Sequence, residues 1–95
     1  MNTNDPHTAV QFLVSGRVQG VFFRRATKQQ ADLYGLTGWV RNLSDGRVQG
    51  VVAGPSARVR DFIAWLQHGP ELARVLKVET GPAGAAEEFA GFEIR

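Results

Sequence analysis

Two helical patterns set among strand patterns, in the order β-α-β-β-α-β, predict an α+β fold. The expected form is a ferredoxin-like sandwich, with both helices on one face of a mostly antiparallel sheet and a short C-terminal strand added. Three observations carry that expectation. Apolar residues alternate in the strand segments, and they recur at i, i+3, i+4 and i+7 in the helical ones. An Asp-Gly turn joins the two halves. This plan hosts many functions and decides none by itself.

The first strand is expected over about Ala9 to Ser15, with Val10, Phe12 and Val14 on one face and Gln11 and Leu13 on the other. Helix one follows over about Phe22 to Tyr34. Phe23, Thr27, Gln30, Ala31 and Tyr34 form its inward stripe, while Arg25, Lys28, Gln29 and Asp32 face water. Arg24 falls on the shoulder between the two faces, and Gly35 suits the C-cap. Strand two, about Leu36 to Asn42, carries Trp39 between Gly38 and Val40. Leu43-Ser44-Asp45-Gly46 is a hairpin turn, because Asp-Gly supplies the positive φ such turns need. Strand three covers about Arg47 to Ala53, and Gly54-Pro55 opens helix two. There Val59, Phe62, Ile63 and Leu66 make a buried stripe, and Gly69-Pro70 ends it. Strand four is about Arg74 to Glu79, a small-residue loop covers Gly81 to Ala86, and the last strand runs from Phe89 to Ile94. Both tryptophans, Trp39 and Trp65, are expected in the core or at its edge.

The chain has 95 residues, 43% hydrophobic and 21% charged, as in an ordinary soluble globule with one core. Polar residues 1–8 are expected as a loose arm before a single domain over 9–95. The N-terminus lacks the basic-then-apolar order of a signal peptide, and no apolar run approaches the roughly 20 residues of a membrane span. A cytoplasmic protein with no membrane partner is the expectation. With no cysteine, disulfides, thiolate nucleophiles and thiolate metal sites are excluded. Of eleven basic residues only Lys28 and Lys77 are lysine, and arginine is the better bidentate partner for oxyanions. A net charge of +2 gives no nucleic-acid footprint.

Chemistry concentrates in Gly16-Arg17-Val18-Gln19-Gly20-Val21-Phe22-Phe23-Arg24. A strand that turns through a two-glycine loop into a helix start leaves backbone N–H groups free, and the helix macrodipole adds positive charge. Arg24 and Arg25 then break a local rule, since a cation in the first helical turn is disfavoured by about 0.3–1 kcal/mol. A bound anion with more than one negative charge, such as phosphate, would remove the conflict. A merely structural turn is the competing account. The hexapeptide Gly-Arg-Val-Gln-Gly-Val recurs at 46–51, but there it follows a turn and must itself be strand. The recurrence is not a repeat array.

Other chemistries lack their parts. His7 and His68 lie far in sequence from the loop, the nine carboxylates show no metal-ligand spacing, and no Gly-Lys-Ser/Thr follows the loop. A cradle, an arginine and neutral polar groups can position a phosphoryl group and neutralise it. Without a general acid the leaving group must depart unaided, as a carboxylate does and an alkoxide does not. Acyl phosphates therefore fit, with no cofactor and no metal; so does a site that binds without reacting. Asn42, at the end of strand two, is placed to hold a water near the phosphorus, or else to start the hairpin turn. Phe22 and Phe23 offer an apolar lining, with Phe23 expected in the core.

These residues resemble the acylphosphatase family. The stretch Gly16 to Arg24 is similar to its first signature. Gly38-Trp39-Val40-Arg41-Asn42 with Gly46-Arg47-Val48 and Gly54 is similar to its second. Phe62, Trp65-Leu66, Gly69-Pro70, Ala73 and Val75 extend the likeness, which covers about Phe12 to Arg95. One departure is the end at Arg95, where relatives often add an aromatic that would steady the last strand. The resemblance implies metal-free hydrolysis of a small-molecule acyl phosphate to carboxylate and inorganic phosphate by a monomer. It further implies that Gly16, Arg17, Val18, Gln19, Gly20 and Val21 supply amides to the phosphate, that Arg24 binds the substrate, and that Asn42 orients the attacking water. In such enzymes a substrate phosphate oxygen accepts the water's proton. Side-chain roles are not assigned to Arg17, Gln19 or Arg25. An anion-binding or RNA-binding module on the same fold is the alternative; the RNA version wants exposed aromatics on central strands and an Arg/Lys-Gly-Phe run, which is missing.

Overall fold

A computed structural model describes residues 6–83 and 89–95. Its elements are β1 (His7–Arg17), α1 (Phe23–Leu33), β2 (Thr37–Asn42), β3 (Val48–Pro55), α2 (Ser56–Leu66), β4 (Arg74–Pro82) and β5 (Phe92–Ile94). The sheet order is β4-β1-β3-β2-β5. β1 pairs antiparallel with both β3 and β4, and β3 with β2, while β5 joins β2 in parallel. The mostly antiparallel sandwich expected from the element order is therefore present.

Alternation decides which face is covered. Phe12, Val14, Val40, Val48, Val52 and Phe92 all turn to one side and are buried. α1 lays Phe23, Thr27 and Ala31 on that side, and α2 adds Val59, Phe62 and Leu66. Phe62 meets Phe12 edge-on with ring centres 5.6 Å apart, and Phe92 at 6.1 Å. Each such side chain contributes about 1.5–3 kcal/mol by leaving water. Thr27, the polar member of this core, donates its hydroxyl to the Phe23 carbonyl at 2.7 Å. α1 ends as its sequence suggests: the Gly35 N–H reaches the Asp32 carbonyl and the Leu36 N–H reaches Ala31.

Several boundaries move. β1 starts at His7 rather than Ala9, so the end of the expected arm is strand: His7 and Thr8 pair with Pro55 and Gly54. The reason is that β3 runs two residues further than expected and offers backbone partners. Ser56 N–H also donates to the Pro6 carbonyl at 2.8 Å. Pro55 closes β3 with φ −57° and ψ 134°, and α2 begins one residue later. β5 holds three residues instead of six. β4 runs on through Gly81 and Pro82, expected as loop; residues 84–88, with the other half of that loop and Glu87-Glu88, lie outside the described part.

Trp39 corrects the expectation most. Its neighbours Gly38 and Val40 are buried, so pleating turns the indole to the helix-free face. It is half-buried there, with the Arg41 and Arg95 guanidinium groups 5.3 and 5.1 Å from its ring centre. Trp65 does pack at the core edge, 6.2 Å from Phe23 and 6.4 Å from Phe62.

Candidate active site

At the end of β1 the backbone first bulges. The register against β4 shifts between Ser15 and Gly16. Gly16 has φ 130°, and a Cβ there would run into the Arg74 carbonyl oxygen, so only glycine lets the strands stay together. Arg17 closes the strand opposite Arg74. The chain then leaves the sheet through Val18–Phe22 and enters α1.

Two residues in this loop are left-handed. Gly20 has φ 73° with open space around it. Phe22, the N-cap of α1, has φ 59° and ψ 26°, and is the one non-glycine residue of positive φ among the described residues. That conformation costs about 1–3 kcal/mol for a side chain of this kind. Burial does not offset it, because Phe22 is 71% exposed. Strain of this sort concentrates where a loop must hold a functional shape.

The loop shape leaves donors unused. Among the described residues, the backbone N–H groups of Gln19, Gly20, Val21 and Phe22 have no hydrogen-bond partner; the first helical bond is from Ala26 N–H to the Phe22 carbonyl at 2.9 Å. α1 has no acidic residue in its first turn and no side-chain cap. Arg24, half-buried, and Arg25, exposed, form no ion pair or hydrogen bond with any described residue. Positive potential at this helix start therefore has no paired counter-charge among the described residues.

A cavity of about 390 Å³ opens here, lined by Val18, Gln19, Gly20, Phe22, Phe23, Arg24, Arg25, Asn42 and Ile94. It brings together the loop, Arg24 and Asn42, which are far apart in sequence. Gly16, Arg17 and Val21 are not on its wall: the first two belong to the β1–β4 ladder, and Val21 packs half-buried against the core. Asn42 ends β2 opposite Val48, exposed, and its carboxamide has no partner among the described residues. The hairpin is closed by other groups. Leu43 N–H donates to the Arg47 carbonyl at 2.8 Å, and the Asp45 carboxylate accepts the Arg47 N–H at 3.1 Å. The Arg47 side chain, 2.7 Å away, hydrogen-bonds Asp45 and holds that carboxyl below its ordinary value of 3.8. Turn formation thus leaves Asn42 unoccupied.

Three cavity features were not legible in the sequence: the left-handed Phe22, the arrival of Ile94 from the far end of the chain, and a side-chain bond from Gln19. The Gln19 carboxamide donates to the Leu43 carbonyl at 2.8 Å and to the Arg47 carbonyl at 3.0 Å. Composition gave no signal for Gln19 or Ile94, since both depend on long-range placement. Arg25, expected to face solvent, is exposed yet sits on the cavity rim. Among the described residues, no group of three or more His, Asp or Glu residues is arranged to hold a metal ion.

What this geometry defines is a small α+β domain with a recess of about 390 Å³, lined by Arg24 and Asn42, between a strained loop and a strand end. Its relationships are more specific. A family model for acylphosphatase matches residues 10–94. The chain belongs to the acylphosphatase family. It is similar to an acylphosphatase of Rubrobacter xylanophilus, 48% identical over 90% of this chain and 78% of the relative. Acylphosphatase-1 of Gallus gallus is also 48% identical, over 92% of this chain and 91% of the relative. Among solved structures, an acylphosphatase from Coxiella burnetii superposes with a TM-score of 0.91 at 36% identity, covering 99% of this chain and all of that one.

Proposed function

We propose that the protein hydrolyses acyl phosphates, turning a mixed anhydride and water into a carboxylate and inorganic phosphate. The observation that carries this reading is the convergence on one recess of loop amides, Arg24 and the Asn42 carboxamide, all without a partner among the described residues. Family membership points the same way. The loop amides and the Arg24 guanidinium receive the phosphoryl oxygens and neutralise their charge. Asn42 holds a water opposite the leaving group. As the P–O bond to the acyl group breaks, the electron pair leaves on a carboxylate that needs no proton. The water oxygen bonds to phosphorus, and its proton passes to a phosphoryl oxygen, so the protein supplies position and charge but no base.

The same proposal makes the chain from His7 onward one domain, two residues more than the expected 9–95 because β1 begins there, acting as a cytoplasmic monomer without cofactor. No helix among the described residues is long and apolar enough to cross a membrane. Nucleic acid is not part of this reading, because guanidinium groups already lie over Trp39, the aromatic of β2 on the helix-free face. The test is benzoyl phosphate followed by ultraviolet absorbance with chelator present. Turnover that survives chelation is expected; an inert substrate would leave a binding module on this fold.

A further inference from the structure

Among the described residues, Gln19 is the single side chain that hydrogen-bonds the loop to the hairpin that carries Asn42. Its Nε2 spends both hydrogens on main-chain carbonyls, Leu43 at 2.8 Å and Arg47 at 3.0 Å. Leu43 is the residue after Asn42. Arg47 is the hairpin's other anchor, since its carbonyl also accepts the Leu43 N–H at 2.8 Å. At the other end, Gln19 contributes its own unpaired N–H to the loop and lines the cavity. One residue therefore sets the loop and the end of β2 at a fixed separation.

We propose that Gln19 is a positioning residue whose carboxamide holds Asn42 in register with the glycine loop, so that water and phosphoryl group are aligned for attack. The inference rests on the functional reading above. The Asn42 carboxamide has no partner among the described residues; its backbone pairs with Val48 but is the last of β2, so the side chain is placed by that pairing on one side and by Leu43 on the other. Leu43 is the neighbour that Gln19 grips. An error of about 1 Å in such a group costs up to about 100-fold in rate, although the phosphate contacts survive.

The experiment compares Gln19→Met, which keeps length and volume but removes the donor, with wild type on benzoyl phosphate. Inorganic phosphate inhibition and thermal unfolding are measured alongside. The expected result is a kcat about 10–100-fold lower, with KM and phosphate inhibition within about threefold. In an Asn42→Ala background the same change is expected to cost less than about twofold more, because the water it aligns is already lost. Gln19→Glu is the second variant and guards against a Met variant that does not fold. It turns a carboxylate toward two carbonyl oxygens, so its kcat falls at least as far at neutral pH and recovers relative to wild type as acid restores a donor. An unchanged kcat in Gln19→Met overturns the proposal, as does an equal loss with and without Asn42 or a parallel loss of phosphate affinity. If wild type leaves benzoyl phosphate intact, the functional reading fails first and takes this inference with it. Active wild type with indifferent Gln19 variants sinks the inference alone.

Discussion

Arg24 stands second in α1, where a cation opposes the helix macrodipole and no carboxylate in the first turn relieves it. Its half-buried position at the cavity gives that placement a purpose only when an anion is bound. Arg24→Ala is expected to weaken inhibition by inorganic phosphate about 10–100-fold, the size of a lost charge-assisted contact, with little loss of stability. Unchanged inhibition would remove Arg24 from the site. Asn42 makes the opposite demand, since a water held in line matters chiefly in the transition state. Asn42→Ala should lower kcat about 100-fold and leave phosphate inhibition within about threefold. Collapsed binding with intact turnover would reverse its role. Both residues were legible as candidates because each sits at an element boundary beside the glycine loop or the hairpin. Phe22 was not: nothing in its side chain announces a left-handed backbone, which the loop imposes.

At the scale of elements, the same six residues take two shapes. At 16–21 the hexapeptide ends a strand and becomes loop; at 46–51 it closes a turn and runs into β3. Tertiary partners decide between them, and the two copies touch, because the Gln19 carboxamide bonds to the Arg47 carbonyl. The Asp45–Arg47 contact in that hairpin lowers the Asp45 pKa, so whatever it adds to stability is present above the ordinary carboxylate value and fades as pH falls through the lowered one. The helices and the alternating strands were readable from apolar spacing alone. The bulge at Gly16 was not, because it depends on how closely β4 approaches. Gly16→Ala is expected to destabilise by about 2–4 kcal/mol in urea unfolding, through its backbone angle and the Arg74 carbonyl. Phosphate inhibition of the folded fraction should stay within about threefold, since Gly16 is not on the cavity wall. A stable Ala variant with lost phosphate binding would return Gly16 to the site.

Across the whole molecule, the sheet separates two tasks. One face joins both helices into the core, and the strand ends present a recess between the β1–α1 loop and the β2–β3 hairpin. Element order predicted that architecture, because short connections and right-handed crossovers leave few alternatives. It could not show that Trp39 would face away from the core, nor that Ile94 would reach the cavity from β5. The most direct test follows backbone and side-chain amide resonances while inorganic phosphate is added. Saturable shifts at Gln19, Gly20, Val21 and Phe22, lost in Arg24→Ala, are the expected result. Loop resonances that stay still while phosphate perturbs only scattered surface arginines would contradict it.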